Sequence, residues 1–137
     1  MSDLGRDWLA LTEIVRGDDR RKQVSDALGG MSYVRVKALR YLLEGPKTGR
    51  ELATKLATDP PFVSVIVDDL EERGLVDRKP HPDDRRRKLI ELTPEGVKAA
   101  RRAEAILSEP PPGLRTLAPA DLEAFARIVA ALLADHE

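Results

Sequence analysis

A mainly helical fold with one small two-stranded β-hairpin is predicted by three features of the sequence. Apolar residues recur at helical spacing along most of the chain. Helix-start signals punctuate it at Thr48-x-x-Glu51, Asp59-Pro60-Pro61 and Thr93-Pro94-Glu95. Between the last two lies a stretch that abandons the helical period: Leu75, Val76 and Asp77 open an extended run, Pro80 to Asp84 form a tip, and Ile90 and Leu92 alternate with Glu91 on the return.

The elements follow in order. Leu4, Trp8, Leu11 and Val15 form one stripe of a first helix, interrupted by Gly17. Trp8 is read as an aromatic anchor in a core or dimer seam in preference to a ligand-stacking surface. Asp18 and Asp19 start a second short helix carrying Val24, Ala27 and Leu28, closed by Gly29 and Gly30. Ser32 is expected to cap a third, which buries Val36, Leu39 and Leu43 and stops at Gly45-Pro46. Thr48 and Glu51 form a capping box for a short helix with Leu52, Ala53 and Leu56 inside. After a turn at Thr58, Asp59 caps a helix with Pro60 and Pro61 in its first turn, where missing N–H groups cost nothing. Val63, Ile66, Val67 and Leu70 are its buried side, and Gly74 stops it. Beyond the hairpin, Thr93 caps a helix faced by Val97, Ala100, Ala103 and Leu107, which Pro110 to Gly113 break. A last helix from about Pro119 carries Leu122, Phe125, Val129 and Leu132.

Two short helices joined by a tight turn and followed by a hairpin make a winged helix-turn-helix. The charge distribution says what such a body is for. From Arg78 to Lys88 the basic residues are Arg78, Lys79, Arg85, Arg86, Arg87 and Lys88, opposed only by Asp83 and Asp84, in a chain of formal net charge −1. A localised basic hairpin on a nearly neutral chain is a grip for phosphates. Arg85, Arg86, Arg87 and Lys88 are the candidate wing contacts, with Asp84 placed to orient an arginine across the tip. Thr48 and Arg50 are candidate phosphate contacts.

On the second helix of the pair, the exposed candidates are Pro61, Phe62, Ser64 and Val65, followed by Asp68, Asp69, Glu71 and Glu72. Arg, Lys, Asn and Gln, the usual readers of base edges, are nearly absent. Phe62 and Val65 can contact thymine methyl groups. Asp68 or Asp69 can accept from cytosine N4, although a solvated or salt-bridged carboxylate is the simpler reading. The acidic second half is expected to repel phosphate, so that affinity leans on the wing.

Composition excludes several alternatives. With no cysteine, disulfides, thiol redox sensing and thiolate metal sites are ruled out within the chain. Two histidines, His81 and His136, do not make a metal site, so neither metal nor cofactor is expected. No nucleophile has a base at usable spacing and no glycine loop cradles phosphate, so the chain is not read as an enzyme. Without an apolar leader or a run of membrane-spanning length, a cytoplasmic protein with no membrane partner is expected.

The residues Glu72-Arg73-Gly74-Leu75-Val76, then Pro82 and Asp84-Arg85-Arg86, then Leu92-Thr93-Pro94-Glu95-Gly96 resemble the signature of MarR-family transcriptional regulators. The match is good from about Ser32 to Leu107. The resemblance implies a homodimer on double-stranded DNA at a palindromic operator, usually repressing, and released by a small, often aromatic, effector. It implies a single domain over 1–137: N-terminal dimerisation helices over 1–30, a winged helix-turn-helix over 31–96 and C-terminal dimerisation helices over 97–137. Arg86 would enter the minor groove and the helix over 60–73 the major groove. Dimerisation would fall to Leu4, Trp8, Leu11, Leu107, Leu122, Phe125, Val129 and Leu132, whose stripes need a partner in any case. Where many members carry a basic residue on the recognition helix, this chain has Val65 and Asp69. The alternative is a winged helix used as a protein-interaction module with weak or no DNA binding, its acidic helix meeting a basic partner.

Overall fold

The computed structural model describes residues 3–136. Along them run α1 (Leu4–Arg16), α2 (Arg20–Ala27), α3 (Tyr33–Leu42), β1 (Lys47–Thr48), α4 (Gly49–Leu56), α5 (Pro60–Glu72), β2 (Val76–Pro80), β3 (Lys88–Leu92), α6 (Pro94–Leu107), α7 (Pro112–Arg115) and α8 (Pro119–Ala134). This is the mainly helical winged helix-turn-helix that the sequence predicts.

The helix starts are built as their side chains dictate. Thr48 Oγ1 accepts from the Glu51 N–H at 3.1 Å while Glu51 Oε1 accepts from the Thr48 N–H at 3.1 Å, a complete capping box. Asp59 Oδ1 accepts from the Phe62 N–H at 2.8 Å, and Thr93 Oγ1 from the Gly96 N–H at 3.0 Å. Each such cap is worth about 1 kcal/mol. Between α4 and α5 the chain turns through Ala57, held at φ 54°. A non-glycine residue in the left-handed region is uncommon. Here the Thr58 N–H, bonded to the Ala53 carbonyl at 3.0 Å, closes the helix end around it.

Four expectations change. The wing is part of a three-stranded antiparallel sheet in the order β1-β3-β2, not a two-stranded one. Lys47 pairs with Ile90 and Thr48 with Leu89, and a two-residue strand is too short to show any alternation. Ser32 stands at the cap position of α3, but its hydroxyl accepts from Arg35 Nη1 at 2.9 Å and makes no bond to the helix's own N–H groups. Leu42 is buried in place of Leu43, which is half-buried at the rim. After the prolines, Pro112–Arg115 form the short α7, where the sequence suggests only a break.

One core gathers Val63, Ile66, Val67 and Leu70 of α5 with Val36 and Leu39 of α3, Leu52 of α4, Val76 and Ile90 of the sheet, and Ala100 and Ala103 of α6. Within it α3 packs against α2, α4 and α6, and α5 against α4 and β2. Val24 and Met31 close it on the N-terminal side. Neither α1 nor α8 contributes a buried residue.

Candidate nucleic-acid interface

The hairpin between β2 and β3 is set by the register Val76–Leu92, Arg78–Ile90 and Pro80–Lys88, which leaves residues 81–87 to make the tip. The tip is tied across itself, the His81 N–H donating to the Arg87 carbonyl and the Arg87 N–H to the Asp84 carbonyl, both at 3.0 Å. Asp84 Oδ1 accepts from the Arg86 backbone N–H at 3.0 Å and from Arg86 Nε at 3.2 Å. The backbone bond first, and the guanidinium second, hold the Asp84 carboxyl below the usual aspartate value. Arg86 nevertheless remains 91% exposed. A long cation is thus aimed before any ligand arrives, which reduces the side-chain entropy lost on binding.

Arg85, Arg87 and Lys88 are exposed beside it. Arg87 and Lys88 face the start of α4 across a cleft of about 510 Å³ completed by Thr48, Gly49 and Arg50. The positive end of α4 adds to these cations. Thr48 itself is only 4% exposed, and its Oγ1 is engaged in the capping box. Contact with an anion there therefore falls to Arg50, Arg87 and Lys88. The other two basic residues of the hairpin do not face solvent as free cations: Lys79 pairs with Glu91, and Arg78 turns back to the recognition helix.

That helix is α5. Pro61, Phe62, Ser64 and Val65 are exposed on it, as the sequence reading places them. Its acidic second half is different from expectation. Arg78 donates to Asp68 Oδ1 at 2.7 Å, to Glu71 Oε1 at 3.0 Å and to the Ser64 carbonyl at 3.4 Å. Asp69 accepts from Arg35 Nε at 2.7 Å and from Arg73 Nε at 3.0 Å. Burial pushes the Asp69 carboxyl up, but the bonds from Arg35 and Arg73 outweigh it and hold the group below the usual value. The negative charge that would repel phosphate is largely neutralised. Sequence reasoning missed Arg35 and counted Arg78 with the basic hairpin, not as a partner of α5, because neither stands in a motif with its carboxylate.

The Asp69 bridge has a pH signature. A carboxyl depressed in the folded state contributes stability above its unfolded value, ordinarily 3.8, and loses it as pH falls through the folded value. Asp69→Asn is expected to lower stability by about 1 kcal/mol at pH 7, with the gap to wild type narrowing as pH falls below the unfolded value. Urea unfolding at pH 7 and through the acid range checks this; a gap that stays constant would assign the loss to packing.

On the opposite side of α3, Tyr33, Arg40, Arg101, Glu104, Leu107 and Ser108 line a cleft of about 660 Å³. A neighbouring hollow of about 580 Å³ shares Tyr33 and Leu107 and reaches Val15, Arg16 and Arg20 at the junction of α1 and α2. The Arg21 guanidinium lies 4.4 Å over the Tyr33 ring. Of the residues read as dimer contacts, Leu107 is half-buried against the core, while Leu4, Trp8, Leu11, Leu122, Phe125, Val129 and Leu132 are exposed. Among the described residues no cluster of metal-ligating side chains occurs and no helix is long and apolar enough to cross a membrane.

A helix-turn-helix with a basic, pre-oriented hairpin defines the class: a winged helix-turn-helix protein. The chain matches the model of the MarR family over residues 30–87. It is similar to the HTH-type transcriptional regulator ML2140 of Mycobacterium leprae, 41% identical over 63 residues that make up 44% of each chain. It is also similar to the HTH-type transcriptional repressor NicR of Pseudomonas putida, 38% identical over 70 residues, 51% of this chain and 43% of NicR. These matches span less than half the length of the curated relatives. Over nearly its full length the fold superposes on the crystal structure of RV1404 from Mycobacterium tuberculosis, with a TM-score of 0.80 and 26% identity, covering 98% of this chain and 92% of that one.

Proposed function

We propose that this chain is a homodimeric, sequence-specific double-stranded DNA-binding regulator of transcription, a repressor that a small aromatic ligand releases from a palindromic operator. The observation that carries the reading is Arg86, held by Asp84 yet 91% exposed at the tip of a basic hairpin. An exposed arginine fixed in this way suits a narrow, negatively charged groove. Arg50, Arg87 and Lys88 supply neighbouring phosphate contacts, and the exposed start of α5 is free to enter the major groove.

Dimerisation is supported by α1 and α8, which bury nothing in the chain and expose Trp8, Leu11, Phe125 and Leu132. Pairing with a second copy would cover these apolar faces. Ligand release is supported by the clefts around Tyr33 and Leu107, which join α3 and α6 to the end of α1. Repression is the activity printed in NicR's name. The alternative of a protein-interaction module is less well supported, since Asp68 and Asp69, which would meet a basic partner, are already paired with Arg35, Arg73 and Arg78.

The test is a salt titration of binding to duplexes from the region upstream of the chain's own gene, with sedimentation at the same concentrations. A dimer is expected, with log K falling by about 0.9 per phosphate contact as log salt rises, and with half-sites about 10 bp apart. Absence of binding to any duplex at low salt would overturn the proposal.

A further inference from the structure

We infer that the major-groove code of this protein is written in thymine methyl groups, read by Phe62 and Val65. The inference rests on the DNA-binding reading above and says what kind of sequence that binding selects.

It follows from what the start of α5 offers and from what its remainder withholds. Phe62 is 41% and Val65 55% exposed, three residues apart and therefore on one face of the helix. Large apolar side chains left in water on a helix whose other apolar residues are fully buried are the departure that needs a partner. Base edges present one apolar feature in the major groove, the C5 methyl of thymine. The groups that would read other bases are missing or engaged. Cytosine N4 requires a carboxylate acceptor; Asp68 and Glu71 are held by Arg78, and Asp69 by Arg35 and Arg73, while Glu72 stands in the last turn, ten residues beyond Phe62. Guanine O6 and N7 are best met by Arg or Lys, and adenine by Asn or Gln. From Pro60 to Glu72 none of these four residue types occurs. Asp59, the nearest polar side chain before the helix, is occupied as the cap. Ser64 remains, and a single hydroxyl donates or accepts without discriminating among bases.

The wing points the same way. A single exposed arginine inserted in a minor groove favours the narrow groove of A·T tracts. Both reading elements thus favour A·T pairs, the helix for the methyl and the wing for groove width.

The experiment starts from a duplex chosen by in-vitro selection on the intact protein, then replaces single thymines by deoxyuridine, which removes the methyl and nothing else. Loss of one buried methyl is expected to weaken binding about fourfold, and symmetric replacement in both half-sites roughly tenfold or more. The loss should be confined to one or two positions per half-site. In Phe62→Ala or Val65→Ala, whose exposed positions leave melting unchanged, thymine and uracil duplexes should bind alike at the position each residue reads. Equal affinity of wild type for thymine and uracil duplexes would overturn the inference while leaving DNA binding intact. A uracil effect that survives both substitutions would assign the methyl contact to other residues and overturn it as well. Failure to select any duplex would instead overturn the DNA-binding reading itself.

Discussion

Arg86→Ala is expected to weaken operator binding about tenfold per wing, and about a hundredfold for a dimer that engages two half-sites. The side chain is almost wholly in solvent and contributes nothing to the core, so melting and assembly should be unchanged. What is lost is a cation that Asp84 has already aimed. Arg86→Lys keeps the charge but loses the planar fork that Asp84 holds through Nε, and should recover only part of the affinity. Anisotropy with a selected duplex measures both variants. Affinity unchanged in Arg86→Ala would mean that the hairpin plays no part in binding, and the reading of the wing as the main source of affinity would fail.

Among the glycines, Gly96→Ala is expected to be the most destabilising substitution to alanine. A Cβ at this position would sit 1.9 Å from the Leu75 carbonyl oxygen and 2.9 Å from its carbon, both backbone atoms that no rotamer change can move. The same carbonyl accepts from the Thr93 N–H at 3.0 Å, and Thr93 Oγ1 donates to the Gly74 carbonyl at 2.6 Å. These bonds lock the start of α6 against the turn that follows α5. Forcing the two apart combines overpacking with loss of one or both hydrogen bonds, about 3 kcal/mol in all, or a fall in melting temperature on the order of 10 °C. Thermal unfolding followed by circular dichroism checks it; a variant within 2 °C of wild type, taking ~1 kcal/mol as the corresponding limit, would show that the turn gives way easily. DNA binding should weaken in parallel, because the turn also sets where the wing begins.

Gly96 shows how the sequence can mark a residue without explaining it. It stands in the run Leu92-Thr93-Pro94-Glu95-Gly96, which reads as a helix start, and nothing local requires a glycine at that point. The requirement comes from Leu75, twenty-one residues earlier, whose carbonyl fills the space a side chain would need. The cap residues behave in the opposite way. Thr48, Asp59 and Thr93 act on N–H groups three residues ahead, so each helix start was readable from the chain alone. Ser32 is the exception among them: its hydroxyl was drawn away by Arg35, whose guanidinium also reaches Asp69 on another helix. β1 escaped notice because its two residues carry no period and are strand only by virtue of pairing with β3.

Local interactions therefore settled, from the sequence alone, where α4, α5 and α6 begin, most of the apolar faces, and that a basic hairpin stands out from the body. Capping, helical period and charge clustering all act within a few residues, and such signals survive without coordinates. Only the tertiary structure decided which charges are free to meet an anionic partner. Arg78 and Asp68 are 10 residues apart in the chain, and Arg35 and Asp69 are 34 apart, yet each pair is joined at 2.7 Å. An ion pair forms wherever folding brings opposite charges together, and no spacing rule announces it. That is why the recognition helix, acidic when read as a string, has Asp68, Asp69 and Glu71 paired in the folded protein behind an apolar tip, and why exposed positive charge is concentrated at Arg85, Arg86, Arg87 and Lys88.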